Sequence, residues 1–277
     1  MAINRDGVIS CHKDVGLVTE FFTKDRMERM TEGQMAIGHC RYGSQISLNR
    51  ENAQPLLVNH LKGAMALCHN GVLTNAAELR AQYELSGAIF HTTSDIEVIA
   101  HAITQQRLKL GSIEEAVRAA MGVIEGAYSM LIMSATKLIA VRDPHGFRPL
   151  CMGRLGDDVV FASETCALDA IGARFVRDIL PGEMVVVTRR GVEVYPPIRA
   201  EGSGLCVFEF VYFSRPDSVV DGVSVHQSRV EAGRILARNH PVEADVVIGA
   251  PDSGLDAALG YSYESGIPYG IGLIKNT

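Results

Sequence analysis

Three signatures of the form Asn/Ser-x-x-Glu, at Asn75–Glu78, Ser94–Glu97 and Ser112–Glu115, constrain this chain more than any other feature. Each reads as a capping box that opens a helix, so the helices lie in mid-chain. Runs with strand character stand on either side. "MAIGHCRY" (35–42) and "GAMALCHN" (63–70) precede them, and "AYSMLIM" (127–133), "KLIAVRD" (137–143), "DVVFASE" (158–164) and "EMVVVTRRGVEVY" (183–195) follow. Asp6-Gly7 and Arg190-Gly191 supply hairpin turns. Helices enclosed between clusters of paired strands predict an α+β fold rather than regular β-α alternation.

The pattern changes after "YPPIRAEGSG" (195–204), whose prolines and glycines read as a crossing between domains. A strand is expected over "LCVFEFVYF" (205–213) and a helix over about 224–239. Residues 244–274 then read strand, turn, helix, strand, the beginning of a parallel βαβ unit. One such unit cannot cover both faces of a parallel sheet, so the sequence reads as cut off at its C-terminus.

Composition excludes several classes. The net charge of −6 gives no electrostatic footprint for nucleic acid. Hydrophobic residues at 47% and charged residues at 21% are ordinary for a globular protein, and no apolar run reaches the ~18 residues of a membrane span. "MAINRDGVIS" lacks the basic and apolar regions of a secretory signal, which leaves a cytoplasmic location as the expectation. The six cysteines form no C-x-x-C pair, so a zinc site within the chain is not expected.

Four places carry chemistry. Arg41 closes an apolar strand and offers a guanidinium fork to a carboxylate; a surface arginine would look the same. Asp95 in the first turn of a helix suits either the helix dipole or an ammonium group. "CHNG" (68–71) reads as a strand that stops at Asn70 and Gly71, whose side-chain amide and backbone N–H match the donors of an oxyanion hole. Cys68 and His69 do not form a nucleophilic dyad, because neighbouring strand residues point to opposite faces. "GAPDSG" (249–254), between a strand and a helix, is either an anion-binding turn or an ordinary helix start.

Together, "GHCRY" (38–42), "NAQPL" (52–56), "HNGVLTNAAELR" (69–80), "TTSDIEVIAH" (92–101), "DPHGFRPL" (143–150), "ASETCALD" (162–169), "PGEM" (181–184), "FVYFSRPDS" (210–218) and "GIPYGIGLIKN" (266–276) resemble the glutamine phosphoribosylpyrophosphate amidotransferase family. The resemblance runs nearly end to end. It implies a four-layer αββα N-terminal-nucleophile glutaminase domain over 1–200 that lacks its first strand, and the start of an α/β phosphoribosyltransferase domain over 201–277. Arg41 then binds the α-carboxylate of glutamine and Asp95 its α-ammonium, with Asn70 and Gly71 as the oxyanion hole. Pro251, Asp252 and Ser253 fall in the pyrophosphate loop. The implied reaction transfers ammonia from glutamine to phosphoribosyl pyrophosphate, giving 5-phosphoribosylamine in the first committed step of purine synthesis.

The family uses Mg2+ with phosphoribosyl pyrophosphate, is inhibited by purine nucleotides and is oligomeric. Some members hold a [4Fe–4S] cluster, and Cys206 aligns with one of its four ligands. The family nucleophile is an N-terminal cysteine with its own α-amine as base, and no residue here matches it. The chain therefore reads as truncated at both ends and inactive as a glutaminase. "RYGSQISLNRE" (41–51) departs from the small residues usual in the mobile glutamine loop. Two other readings remain: the glutaminase half of another such amidotransferase, for instance one making glucosamine 6-phosphate, or a non-catalytic glutamine- or nucleotide-binding module. Residues 206–277 discriminate the first of these.

Overall fold

The computed structural model describes all residues except 31, 43–48, 199–201, 203 and 276–277. Residues 43–48 of the unusual stretch expected to form the glutamine loop, and part of the expected crossing at 195–204, thus lie outside the described residues. The chain divides into two compact units, 1–148 with 179–203, and 149–178 with 204–277.

The first unit is built on a six-stranded antiparallel sheet in the order β12-β11-β7-β6-β5-β4. Its strands are β4 (Leu56–His60), β5 (Gly63–Leu73), β6 (Gly126–Ser134), β7 (Leu138–Arg142), β11 (Met184–Thr188) and β12 (Gly191–Tyr195). Both faces are covered, so β6 and β7 read as nearly continuous apolar runs rather than as alternation. Leu67, Tyr128, Met130 and Ile132 pack with Ile96, Ile99, Val117 and Ala120 of the helical layer. That layer consists of α3 (Ala76–Leu85), α4 (Asp95–Lys109) and α5 (Ile113–Met121). The intervening residues Ala66, Cys68 and Met133 face Ala2, Ile9 and Ile37. These belong to a second sheet in the order β2-β1-β3, with β1 at Ala2–Arg5, β2 at Val8–Cys11 and β3 at Met35–Ile37. Asp6 (φ 51°) and Gly7 (φ 90°) make the expected hairpin turn. The α+β class is borne out.

The three capping signatures fare differently. Ser112 forms the full box with Glu115. Asn75 sits at the N-cap of α3, but its amide donates to the Val123 carbonyl and accepts from the Glu125 N–H, tying the helix start to the turn before β6. Ser94 precedes α4 without capping it, and the Glu97 carboxylate takes the backbone N–H groups of His91 and Thr92 instead. At Asn75 a long-range demand on the side chain outweighs the local cap, whereas at Ser94 the loop just before the helix claims the Glu97 carboxylate.

In the second unit, β8 (Cys151–Leu155), β9 (Asp158–Ala162) and β10 (Arg174–Asp178) form an antiparallel sheet with β8 central. The strand expected over 205–213 is absent. Residues 207–213 are helical and end in a π-helical turn, Glu209–Phe213. An apolar run of this length does not distinguish strand from helix. What decides is Glu209, buried and accepting from the Ser214 hydroxyl at 3.0 Å. The Arg229 guanidinium also donates to the Phe210 and Ser214 carbonyls at 2.6 and 2.7 Å.

Helix α7 (Val225–Asn239) packs on α8 (Gly254–Ser265) at Gly233 and Gly260. A Cβ at either glycine would collide with a backbone carbonyl of the other helix, Ala257 or Val230. Strands β15 (Val247–Ile248) and β16 (Tyr269–Gly270) pair in parallel around α8, as the strand–turn–helix–strand reading requires.

Candidate functional site

The first unit gathers its polar groups where β4 ends and β5 does not. Pairing of β4 with β5 stops at Leu56 opposite Leu67, while β5 stays paired with β6 as far as Leu73 opposite Gly126. The strand therefore does not break at Asn70, as the sequence suggested. Asparagine and glycine are turn formers, but nine consecutive pairs with β6 override them. Gly71 has φ 144°, and a Cβ there would collide with the Ala127 carbonyl on the neighbouring strand. The close approach of β6 is thus enough to require glycine.

Strand alternation sends the N–H groups of residues 69, 71 and 73 to the edge that β4 has vacated. The His69 N–H donates to Gln54 Oε1 at 2.6 Å, and Gln54 Nε2 donates back to the His69 carbonyl at 3.1 Å. The Leu73 N–H donates to Asp95 Oδ2 at 3.0 Å. The Gly71 N–H points out between them, and no described side chain of the site takes it. The Asn70 amide, half-buried beside it, makes no hydrogen bond to another described residue.

Asp95 begins α4, where the helix dipole favours a carboxylate. Its Oδ1 lies 3.4 Å from Nδ1 of the buried His69. Burial alone would push the Asp95 carboxyl up, but His69, the Leu73 amide and the Arg41 guanidinium together hold it below its ordinary value. The His39 pKa is also lowered, pushed down to about 4 by burial and by the neighbouring His69 and Arg41. Hydrogen bonds bring Arg41, Asn70, Gly71 and Asp95 into one neighbourhood. Asn52 bonds both Arg41 and Thr93, two residues before Asp95, and Asp95 accepts from Leu73, two residues beyond Gly71. Arg41 Nη1 donates to the Asn52 carbonyl at 3.3 Å.

Sequence reasoning passed over the residues that hold these four. Gln54 and Asn52 lie in "NAQPL", singled out only for its resemblance. Asn52 Oδ1 accepts from the Thr93 N–H at 3.1 Å, and its Nδ2 donates to the Thr93 hydroxyl at 2.9 Å. Arg80 lies over the Phe90 ring and donates to the Thr92 and Ser94 carbonyls. No sequence signal marked Asn52 and Gln54, because their burial and partners appear only in the fold.

Cys68 faces the opposite side of the sheet from His69, and burial pushes its thiol up to about 12. That geometry removes the Cys68–His69 dyad, as the alternation argument requires.

Pro251, Asp252 and Ser253 lie in the second unit, at the turn into α8. Asp252 Oδ2 accepts from Lys275 Nζ at 2.7 Å. Cys206 is also in that unit and half-buried. Among the described residues no three His, Cys, Asp or Glu side chains come together to hold a metal. The described residues thus supply Cys206 but not the other three thiolates that such a cluster requires.

Residues 41–170 match the family model described as a glutamine amidotransferase domain. The amidophosphoribosyltransferase of Methanocaldococcus jannaschii is 44% identical over 97% of this chain and 60% of its own length. A solved structure, glutamine phosphoribosylpyrophosphate amidotransferase from B. subtilis complexed with ADP and GMP, superposes with a TM-score of 0.91 at 42% identity, covering 99% of this chain and 59% of that one. The chain resembles the amidophosphoribosyltransferases over nearly its whole length. The Bacillus subtilis amidophosphoribosyltransferase is likewise 44% identical over 97% of this chain, and 56% of that relative is covered. The chain thus spans somewhat more than half the length of these amidophosphoribosyltransferases. The match extends through 206–277, the stretch expected to separate this family from other glutamine amidotransferases.

Proposed function

We propose that the chain carries the glutamine site of an amidophosphoribosyltransferase in its 1–200 region and the beginning of the phosphoribosyl-transfer domain in 201–277. The observation that carries this reading is the Gly71 N–H, standing between two N–H groups that Gln54 and Asp95 have taken. A backbone donor directed out of a sheet edge, next to an uncommitted amide, suits an oxygen that gains charge during reaction.

In this reading Arg41 takes the α-carboxylate of glutamine through its planar fork, and Asp95 takes the α-ammonium. The side-chain carbonyl points to Asn70 and Gly71. The α-amine of the nucleophile takes the thiol proton, the thiolate attacks the amide carbon, and the two donors stabilise the charge on the oxygen. The proton passes to the amide nitrogen, so that ammonia leaves as the acyl-thioester forms, which water then hydrolyses to glutamate. We assign the thiol to a cysteine with a free α-amine, as the family uses, rather than to Cys11, Cys40 or Cys68. The turn at Pro251, Asp252 and Ser253 would take the pyrophosphate of phosphoribosyl pyrophosphate, and ammonia attack would give 5-phosphoribosylamine. Mg2+ would accompany that substrate and shield its phosphate charge.

We further infer purine nucleotides as inhibitors, assembly into homo-oligomers and a cytoplasmic location. Among the described residues no helix is long and apolar enough to cross a membrane. The test is an assay of the protein that carries this chain for glutamate release and for phosphoribosylamine formation with phosphoribosyl pyrophosphate. Release of glutamate without phosphoribosylamine would retain the glutamine site and remove the second half of the reading.

A further inference from the structure

The amino-acid head group of glutamine offers two charges a fixed distance apart. A site that reads both must fix the distance between their partners. Arg41 follows a three-residue strand, and Asp95 begins a helix more than fifty residues later. Neither sits on the element that carries the other. Asn52 joins them.

Its backbone carbonyl accepts from Arg41 Nη1 at 3.3 Å. Its side chain grips Thr93, two residues before Asp95, through both amide atoms at 3.1 and 2.9 Å. Its own N–H donates to Asn49 Oδ1 at 2.9 Å, which fixes the turn it stands on. The residue is 2% exposed, so these bonds have little competition from water. We propose that Asn52 is a positioning residue that sets the span between the Arg41 guanidinium and the Asp95 carboxylate, and so makes the site selective for a ligand bearing both an α-carboxylate and an α-ammonium. The proposal rests on the glutamine reading above and adds to it the device that enforces selectivity.

Asparagine suits this task better than its isosteres. Its acceptor meets a backbone N–H and its donor meets a hydroxyl, on one residue, in one plane. Aspartate would keep the acceptor but lose the N–H donor, and leucine would lose both.

The test is calorimetric titration of the protein with L-glutamine, with 4-carbamoylbutanoate, which lacks the ammonium, and with 4-aminobutanamide, which lacks the carboxylate. The unsubstituted protein should bind glutamine more tightly than either one-ended ligand. Asn52→Ala should weaken glutamine about tenfold or more while changing the one-ended ligands by no more than about twofold, because each charged partner persists and only their span is lost. Thr93→Val, a milder change at an exposed residue, should act in the same direction to a smaller extent and covers the case in which Asn52→Ala does not fold. An equal loss for all three ligands, or no loss for glutamine, would overturn the role of Asn52. An unsubstituted protein that binds glutamine no better than the one-ended ligands would instead overturn the assignment of Arg41 and Asp95.

Discussion

Gln54 stands in for a strand at His69. Its side-chain amide makes both hydrogen bonds, at 2.6 and 3.1 Å, that the next pair of residues in β4 would have made. The edge of β5 is thereby closed at one residue and left open two residues later, where Gly71 presents its N–H.

Gln54→Met keeps most of the side-chain volume and removes both bonds. The His69 N–H and carbonyl are then buried without partners. Each such group costs about 1–3 kcal/mol, so unfolding free energy should fall by about 3 kcal/mol. Urea denaturation of the two proteins measures it, and a change below about 0.5 kcal/mol would show that the edge does not need Gln54.

Tyr128 should behave in the opposite sense. It is fully buried, and its hydroxyl finds no hydrogen-bond partner among the described residues. Tyr128→Phe removes a desolvated polar atom and leaves the ring packing intact. Stability should stay level or rise by about 1 kcal/mol, read from the same denaturation midpoints. A clear loss would mean that the hydroxyl is bonded in solution.

The acid sensitivity of the fold should divide between two groups. His39 has its pKa at about 4 when folded, below the ordinary histidine value. The unfolded chain therefore takes up a proton first, and stability falls as pH drops from about 6.5 to 4, by at most about 1.4 kcal/mol per pH unit. His39→Gln should flatten that limb. Asp95 also has a folded pKa below its unfolded one, but in the carboxylate range. Its contribution is complete above that range and disappears only as pH falls through it, so Asp95→Asn should lower stability at neutral pH and flatten the further loss below about pH 4. Stability curves that stay parallel to the unsubstituted protein from pH 7 to 3 would contradict both.

Residues 1–277 alone should bind glutamine without hydrolysing it. Cys68 points away from the site with its thiol pushed up to about 12, and burial also raises the Cys11 thiol. A neutral thiol is a poor nucleophile. Glutamate release is the readout. Turnover that persists when Cys11, Cys40 and Cys68 are all changed to alanine would mean that the covalent mechanism has been misassigned.

What the sequence conveyed and what it withheld follow one physical division. Local rules located the Asp6-Gly7 hairpin, the Ser112 capping box and the helix at 225–239, because turn dihedrals and capping bonds are made by neighbours in the chain. The same rules misplaced the end of β5 at Asn70. The extent of that strand is set by pairing with β6, whose residues lie more than fifty positions away. They also read 205–213 as a strand, since nothing nearby announces that Glu209 will be buried or that Arg229 will grip the Phe210 and Ser214 carbonyls. At the site, the charged and catalytic residue types stood out by their chemistry. Asn52 and Gln54 did not, because an amide in a loop has no signature until its distant partners are known.

The most direct test of the account is the steady-state kinetics of glutamine hydrolysis by Asn70→Ala, in the protein that carries this chain together with its nucleophile. The Asn70 amide is assigned to an oxygen that bears charge only in the transition state. Its loss should lower kcat by about 10²–10³-fold, close to 3 kcal/mol, with little change in the KM for glutamine. An unchanged kcat, or a rise in KM alone, would contradict the assignment of Asn70 and with it the reading of the open β5 edge as an oxyanion site.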